Sequence, residues 1–198
     1  MRIHPVGANA LLVEVDDHPQ AAALFVQARA RRAAVDVVPA LRTVLLDGVE
    51  DPDRLAAEIP TWPLTPEVTA SAGRLVEVPT TYDGPDLGFV ARHWDMTLAE
   101  AVATHTGTEF VVAFCGFSPG FPYCAGLPAA LAVPRLPSPR TRVPAGSVGL
   151  ADDLTGIYPT ASPGGWRLLG RTSLALWDPD RPEPATLPPG TRVRFVAA

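Results

Sequence analysis

The sequence predicts an α+β chain in two parts: a small N-terminal α+β domain, then a β-rich domain with the character of a small barrel. Three observations carry this. Strand and helix patterns alternate from Ile3 to about Ile59, and a proline-rich break follows. From Glu109 onward, glycine and proline cut short apolar runs repeatedly and no helical period persists. The expected boundaries are 1–60 for the first domain, 61–73 for a linker and 74–198 for the second. At this length folding buries roughly 70% of the surface of the extended chain, enough for real hydrophobic cores.

Ala10 to Val15 reads as a strand ended by Asp16-Asp17. Pro19 to Ala34 reads as a helix, with Asp17 or His18 near its N-cap and Pro19 in the first turn, where a missing N–H costs nothing. Two short β-branched runs follow, Val35 to Val38 and Thr43 to Leu46. Asp51 is placed to cap a second helix, with Pro52 at its first position and Ile59 near its end. Pro60 to Gly73 has little periodicity and reads as the linker.

Beyond it, Arg74 to Tyr82 reads as a strand and Pro85 to Trp94 as a helix. Thr97-Leu98-Ala99-Glu100 is a capping box opening another helix to about His105, stopped by Gly107. The remaining strand signals are Glu109 to Phe117, Ser147 to Leu150, Trp166 to Leu169, Leu174 to Trp177 and Arg192 to Val196.

Composition excludes several function classes. The formal net charge is −5, against a nucleic-acid-binding role, which needs clustered cations. The apolar runs fall far short of the ~20 residues of a membrane span, and the N-terminus lacks a signal-peptide pattern, so a cytoplasmic chain is expected. All 16 basic residues are arginines, which removes Schiff-base chemistry, biotin carriage on lysine and a P-loop lysine. Cys115 and Cys124 match no zinc or CxxC spacing and read as inert thiols, and the four histidines form no HxH or HExxH. No metal is expected.

The chemistry-bearing stretch runs from Phe114 to Thr172. Gly116 and Gly120 free the backbone around Phe117, Phe121 and Tyr123, and Pro119 and Pro122 stiffen it. Such a loop suits a small planar or carboxylate-bearing ligand, and equally a buried loop tying down a barrel. Arg135, Arg140 and Arg142 fall within eight residues and form a candidate anion clamp, since guanidinium holds carboxylate or phosphate bidentately. Gly146 and Ser147 offer a backbone amide and a hydroxyl. No GxSxG elbow surrounds Ser147, and no histidine lies near it in sequence. Thr155 and Arg171 continue the series of rigid turns. His105 is either a general acid–base or a helix-end histidine favoured by the dipole. No residue stands out as acid, base or nucleophile.

These motifs resemble a known family. The run Gly116-Phe117-Ser118-Pro119-Gly120-Phe121-Pro122-Tyr123, the stretch Pro139 to Pro159, and Ser162-Pro163-Gly164-Gly165-Trp166 with Gly170-Arg171-Thr172 are similar to the carboxyltransferase-domain subfamily 1 proteins. These are also called allophanate hydrolase subunit 1-like, and include the B subunit of 5-oxoprolinase and the kinase inhibitor KipI. Ala10 to Glu14, Val38 to Arg42, and Gly84-Pro85-Asp86-Leu87 with His105 extend the resemblance over almost the whole chain. It departs at Cys124-Ala125 and at Asp152-Asp153-Leu154.

The resemblance implies a cyclophilin-like β-barrel after the small α+β domain. It implies one component, inactive alone, of an ATP-dependent enzyme opening 5-oxo-L-proline to L-glutamate. Its partners would be the enzyme's C subunit (carboxyltransferase domain, subfamily 2) and its A subunit, with ATP bound mainly by the partner. Under this reading Phe117, Phe121 and Tyr123 pack on the substrate. Arg135, Arg140 and Arg171 hold anionic groups, and Gly146, Ser147 and Thr155 donate hydrogen bonds. The family also contains allophanate hydrolase or urea-carboxylase components and non-catalytic kinase inhibitors of the KipI type.

Overall fold

A computed structural model describes residues 1–64 and 73–198, in two compact units, 1–72 and 73–198. The expected linker, 61–73, falls mostly on residues outside the described ones. Trp62, at its beginning, is folded into the first unit, 7% exposed and bonded through its indole N–H to the Glu58 carboxylate.

The first unit is a four-stranded antiparallel sheet with two helices. Its strands are β1 (Arg2–Val6), β2 (Ala10–Glu14), β3 (Asp36–Pro39) and β4 (Thr43–Asp47), in the order β1-β2-β4-β3. Strand β1 carried no clear signal, because Pro5 breaks its apolar pattern. At a sheet edge the missing N–H is harmless, and Pro39 on the other edge strand, β3, likewise discourages edge-to-edge pairing. Helix α1 (His18–Arg31) starts on the Asp17 carboxylate, which accepts from the Gln20 N–H. It stops three residues earlier than its pattern suggests, because Arg32 turns left-handed at φ 52. Helix α2 (Pro52–Glu58) is capped by Asp51. Leu11, Val13 and Val15 meet Leu24, Ala28, Val44, Leu46, Ile59 and Trp62 in its core.

The second unit is a seven-stranded, almost closed barrel. Its strands are β5 (Leu75–Thr80), β6 (Phe110–Cys115), β7 (Pro122–Ala125), β9 (Ser147–Ala151), β10 (Leu154–Ile157), β12 (Arg167–Arg171) and β13 (Arg192–Ala197), ordered β12-β9-β10-β7-β6-β13-β5. A separate ribbon pairs β8 (Arg140–Val143) with β11 (Ser162–Gly164). The edges β5 and β12 meet through the reciprocal Thr81–Arg171 backbone bonds, both 2.9 Å. Gly170 makes this seam possible: a Cβ there would run into the Thr81 carbonyl. Helices α3 (Leu87–His93) and α4 (Leu98–Gly107) add Leu87, Val90 and Ala101 to the barrel core of Val78, Phe110, Val148, Leu150, Val193 and Phe195. Both halves of the capping box form: Thr97 Oγ1 accepts from Glu100 N–H, and Glu100 Oε2 accepts from Thr97 N–H.

Two expectations shift. Pro122–Ala125, read as loop, is a strand, because a proline at a first strand position forfeits no ladder bond. Leu174 to Trp177 forms no strand; it is tied by an isolated Trp177–Ala185 bridge and by the Thr186 hydroxyl, which donates to the Ala175 carbonyl at 2.8 Å.

Candidate functional site

Residues 116–172 build both faces of one side of the barrel wall. Along β7 and β10 alternate side chains point in and out. Cys124 and Ile157 enter the barrel core, whereas Phe121, Leu154, Tyr158, Trp166 and Leu168 gather with Val143 in a second apolar cluster. Its rings meet edge to face: Phe121 lies 5.1 Å from Tyr158 at 89° and 5.5 Å from Trp166 at 85°. Tyr123 stacks on Phe114 at 4.3 Å. Phe121 is thus sealed, 2% exposed, and structural rather than free to face a ligand.

Phe117 is the opposite case. It is 62% exposed, its backbone is left-handed at φ 67, and its ring stands edge-on to Phe121 at 5.5 Å. A non-glycine residue there costs roughly 1–2 kcal/mol. Phe117→Ala keeps the strained backbone and loses two edge contacts, with Phe121 at 5.5 Å and with Tyr158 at 6.4 Å. We expect unfolding measurements to show a stability change of no more than about 1 kcal/mol.

A cavity of about 410 Å³ opens beside the ribbon. Arg140, Arg142, Arg171, Asp83 and Ser147 line it, with apolar surface from Pro144 and Leu168. Three of the expected residues, Arg140, Ser147 and Arg171, therefore come together. Arg140 is fixed at both ends of its fork: Nη2 donates to Asp86 Oδ2 at 2.8 Å and Nη1 to the Trp166 carbonyl at 3.2 Å. Asp86 also accepts the Leu168 N–H at 2.7 Å and lies 3.8 Å from Arg167 Nη1. Arg167 is turned over the Phe89 ring, 3.7 Å from its centre. Arg171 pairs with Asp83 at 2.8 Å on the surface. Gly146, at φ 78, brings its backbone against Thr172, where any Cβ would strike the Thr172 carbonyl. Its N–H is already bonded to the Tyr158 carbonyl at 2.7 Å, so it has no proton to offer a ligand; its neighbours Ala145 and Ser147 line the cavity.

Six expected residues lie outside the cavity lining: Phe117, Phe121, Tyr123 and Gly146, already described, and Arg135 and Thr155. Arg135 does not line the cavity and faces Asp152 at 3.9 Å. Thr155 is fully buried, and its hydroxyl donates to the Gly149 carbonyl at 3.1 Å while contacting His105 Nε2 at 3.0 Å. It is spent inside the protein. Because Thr155 gives its one proton to Gly149, His105 must donate from Nε2 and accept at Nδ1 from the Tyr82 hydroxyl, 2.7 Å away. Burial among Phe110 and Phe195 pushes the imidazole pKa down to about 3 and holds the Tyr82 hydroxyl far above its ordinary value. His105 does sit in the last turn of α4, as the helix-end reading expects, but it is buried and neutral in the barrel interior, so the helix dipole has no charge there to favour.

Asp83, Asp86 and Tyr158 were not among the expected site residues. The usable signal for the two acids was their position around Gly84-Pro85, a turn whose acids have backbone to bind. Both cysteines are free, and burial raises both thiols, Cys115 to about 11. Among the described residues no cluster of metal-ligating side chains occurs, and no helix is long and apolar enough to cross a membrane.

Comparison with known proteins gives a consistent picture. The family model for the carboxyltransferase domain, subdomain C and D, matches residues 1–187. Proteins named as the B subunit of 5-oxoprolinase are 43% identical over 82% of this chain and 77% of the relative in Escherichia coli O157:H7. In Bacillus subtilis the values are 46%, 62% and 52%. A crystal structure of TTHA0988 is 37% identical with a TM-score of 0.77, over 96% of this chain and 40% of that one. The uncharacterized protein PH0987 of Pyrococcus horikoshii matches at 31% identity and TM-score 0.61 over 100% and 97% of the two chains. The urea amidolyase of K. lactis, at 18% identity and TM-score 0.71, shares the fold over 99% of this chain and 15% of its own. The chain thus spans between half and about three quarters of these two curated relatives, and two fifths of TTHA0988.

Proposed function

The chain belongs to the carboxyltransferase domain, subdomain C and D, family, and on that premise we propose that it is the B subunit of a cytoplasmic, ATP-dependent 5-oxoprolinase. The reading is carried by 43–46% identity, over most of the chain, to proteins bearing that name. The cavity supports it. Opening a lactam that carries a carboxylate calls for a site that grips the acid and offers apolar surface to the ring. Arg140, Arg142 and Arg171 beside Pro144 and Leu168 supply those features.

This chain's residues do not fit a nucleotide polyphosphate. It has no lysine, and two of the three cavity arginines already face carboxylates. We therefore assign ATP to a partner protein of the complex. The substrate site is composite, completed by the C and A subunits, and this chain alone is inactive.

The test is glutamate release from 5-oxoproline with ATP, measured on purified chains singly and combined. Activity is expected only when this chain is present together with the A and C subunits. Undiminished turnover by those two without it would refute the assignment.

A further inference from the structure

The charge pattern of the cavity specifies its ligand more narrowly than three arginines would by themselves. Arg140 is committed to Asp86 and the Trp166 carbonyl, and Arg171 to Asp83. Arg167 does not line the cavity; its guanidinium lies over Phe89 and donates to the Pro134 carbonyl at 3.1 Å. Arg142 is exposed, lines the cavity, and has no ion pair or hydrogen bond among the described residues. Of the three arginines that line the cavity, Arg142 is thus the one whose guanidinium has no partner among the described residues.

A carboxylate carries a single charge and fits the planar fork in two hydrogen bonds. A phosphate monoester carries about −1.5 to −2 at neutral pH, and a nucleotide tail more; such groups require several free cations, a metal ion or a cradle of backbone amides. Among the amides of the lining residues, those of Gly84, Ser147, Leu168 and Arg171 are already taken, by the Leu169 carbonyl, the Pro144 carbonyl, the Asp86 carboxylate and the Thr81 carbonyl.

We propose that this cavity is a monocarboxylate subsite. Arg142 supplies the ion pair, while Arg140 and Arg171, held by Asp86 and Asp83, fix the direction from which the carboxylate enters. The volume of about 410 Å³ suits a small-ring acid. That the acid is 5-oxoproline rests on the 5-oxoprolinase reading above; the preference for a carboxylate over a phosphate does not.

The decisive comparison is steady-state kinetics of the assembled enzyme carrying wild-type or Arg142→Ala chain. The KM for 5-oxoproline is expected to rise roughly 10- to 100-fold, the worth of one charge-assisted contact, with the KM for ATP unchanged and Arg142→Lys recovering part of the loss. A rise in the KM for ATP, or no change in either, overturns the subsite while turnover keeps the 5-oxoprolinase reading standing. In parallel, ligand-observed NMR on the full chain follows 5-oxoproline, its uncharged carboxamide, acetate and inorganic phosphate. The carboxylates are expected to bind and to be weakened by Arg142→Ala, the carboxamide and phosphate not to compete. If the assembled enzyme fails to turn over 5-oxoproline, the 5-oxoprolinase reading falls and this titration alone judges the subsite. A preference for phosphate, or equal behaviour of wild-type and Arg142→Ala chains, would sink it.

Discussion

Asp86→Ala is expected to lower stability by about 3–5 kcal/mol, which for a unit of this size is a drop in Tm of roughly 10 °C or more. The Asp86 side chain is 9% exposed, yet it accepts from two donors, Arg140 at 2.8 Å and the Leu168 N–H at 2.7 Å, and faces the charge of Arg167 at 3.8 Å. Removing the carboxylate leaves a buried peptide N–H unpaired and two guanidiniums, 27% and 11% exposed, without their counter-charge. Asp86→Asn keeps an acceptor for Leu168 and loses only the charge, so its cost should be smaller. Arg171→Ala sets the scale from the other side. Its pair with Asp83 is 68% and 47% exposed, and such pairs are worth about 0–1 kcal/mol and fade in salt. Denaturant unfolding of the three variants decides the matter. A loss below about 1 kcal/mol for Asp86→Ala would mean that Arg140 is held by its carbonyl bond and packing instead.

The same cluster shows where sequence reasoning reaches and where it stops. Caps are local, so Asp17, Asp51 and the Thr97–Glu100 box were readable residue by residue. The helix-poor second half was readable because glycine and proline punctuate it. What joins residues 86, 140 and 167 is the return of β12 beside the turn at Gly84, and no local pattern encodes that meeting. The three-arginine clamp shows the limit well. Arg140 and Arg142 stay together on one ribbon strand, but Arg135 separates from them because Val133 pairs with Asp152 instead. Thr155 failed for a related reason: its position in a glycine-rich turn motif suggested exposure, whereas strand alternation turns it inward beside Leu150 and Cys124.

That inward turn creates the second large effect, the response to acid. His105 is held neutral, with its pKa near 3, while in the unfolded chain it titrates near its ordinary 6.5. Between those values the unfolded state binds a proton that the folded state refuses, so stability falls as pH is lowered from 6.5 toward 3 and is fully present above 6.5. The loss at pH 5 relative to pH 8 comes to about 2 kcal/mol, and it deepens further below. Protonation also collides with the hydrogen bonds. Nδ1 would gain a proton facing the Tyr82 hydroxyl, which must then surrender its own donation, while Thr155 stays committed to Gly149. Other groups act in a different range. Glu109, held low by Arg192, and Glu100, held low by the Thr97 backbone, release their share only within and below the ordinary carboxylate range. Comparing unfolding free energies of wild-type and His105→Gln chains between pH 5 and 8 therefore isolates this histidine's share. His105→Gln should start less stable at pH 8, having lost ring contacts with Phe110 and Phe195, but its stability should stay level down to pH 5. An undiminished slope in that variant would transfer the acid sensitivity to another group and leave His105 with packing as its whole role.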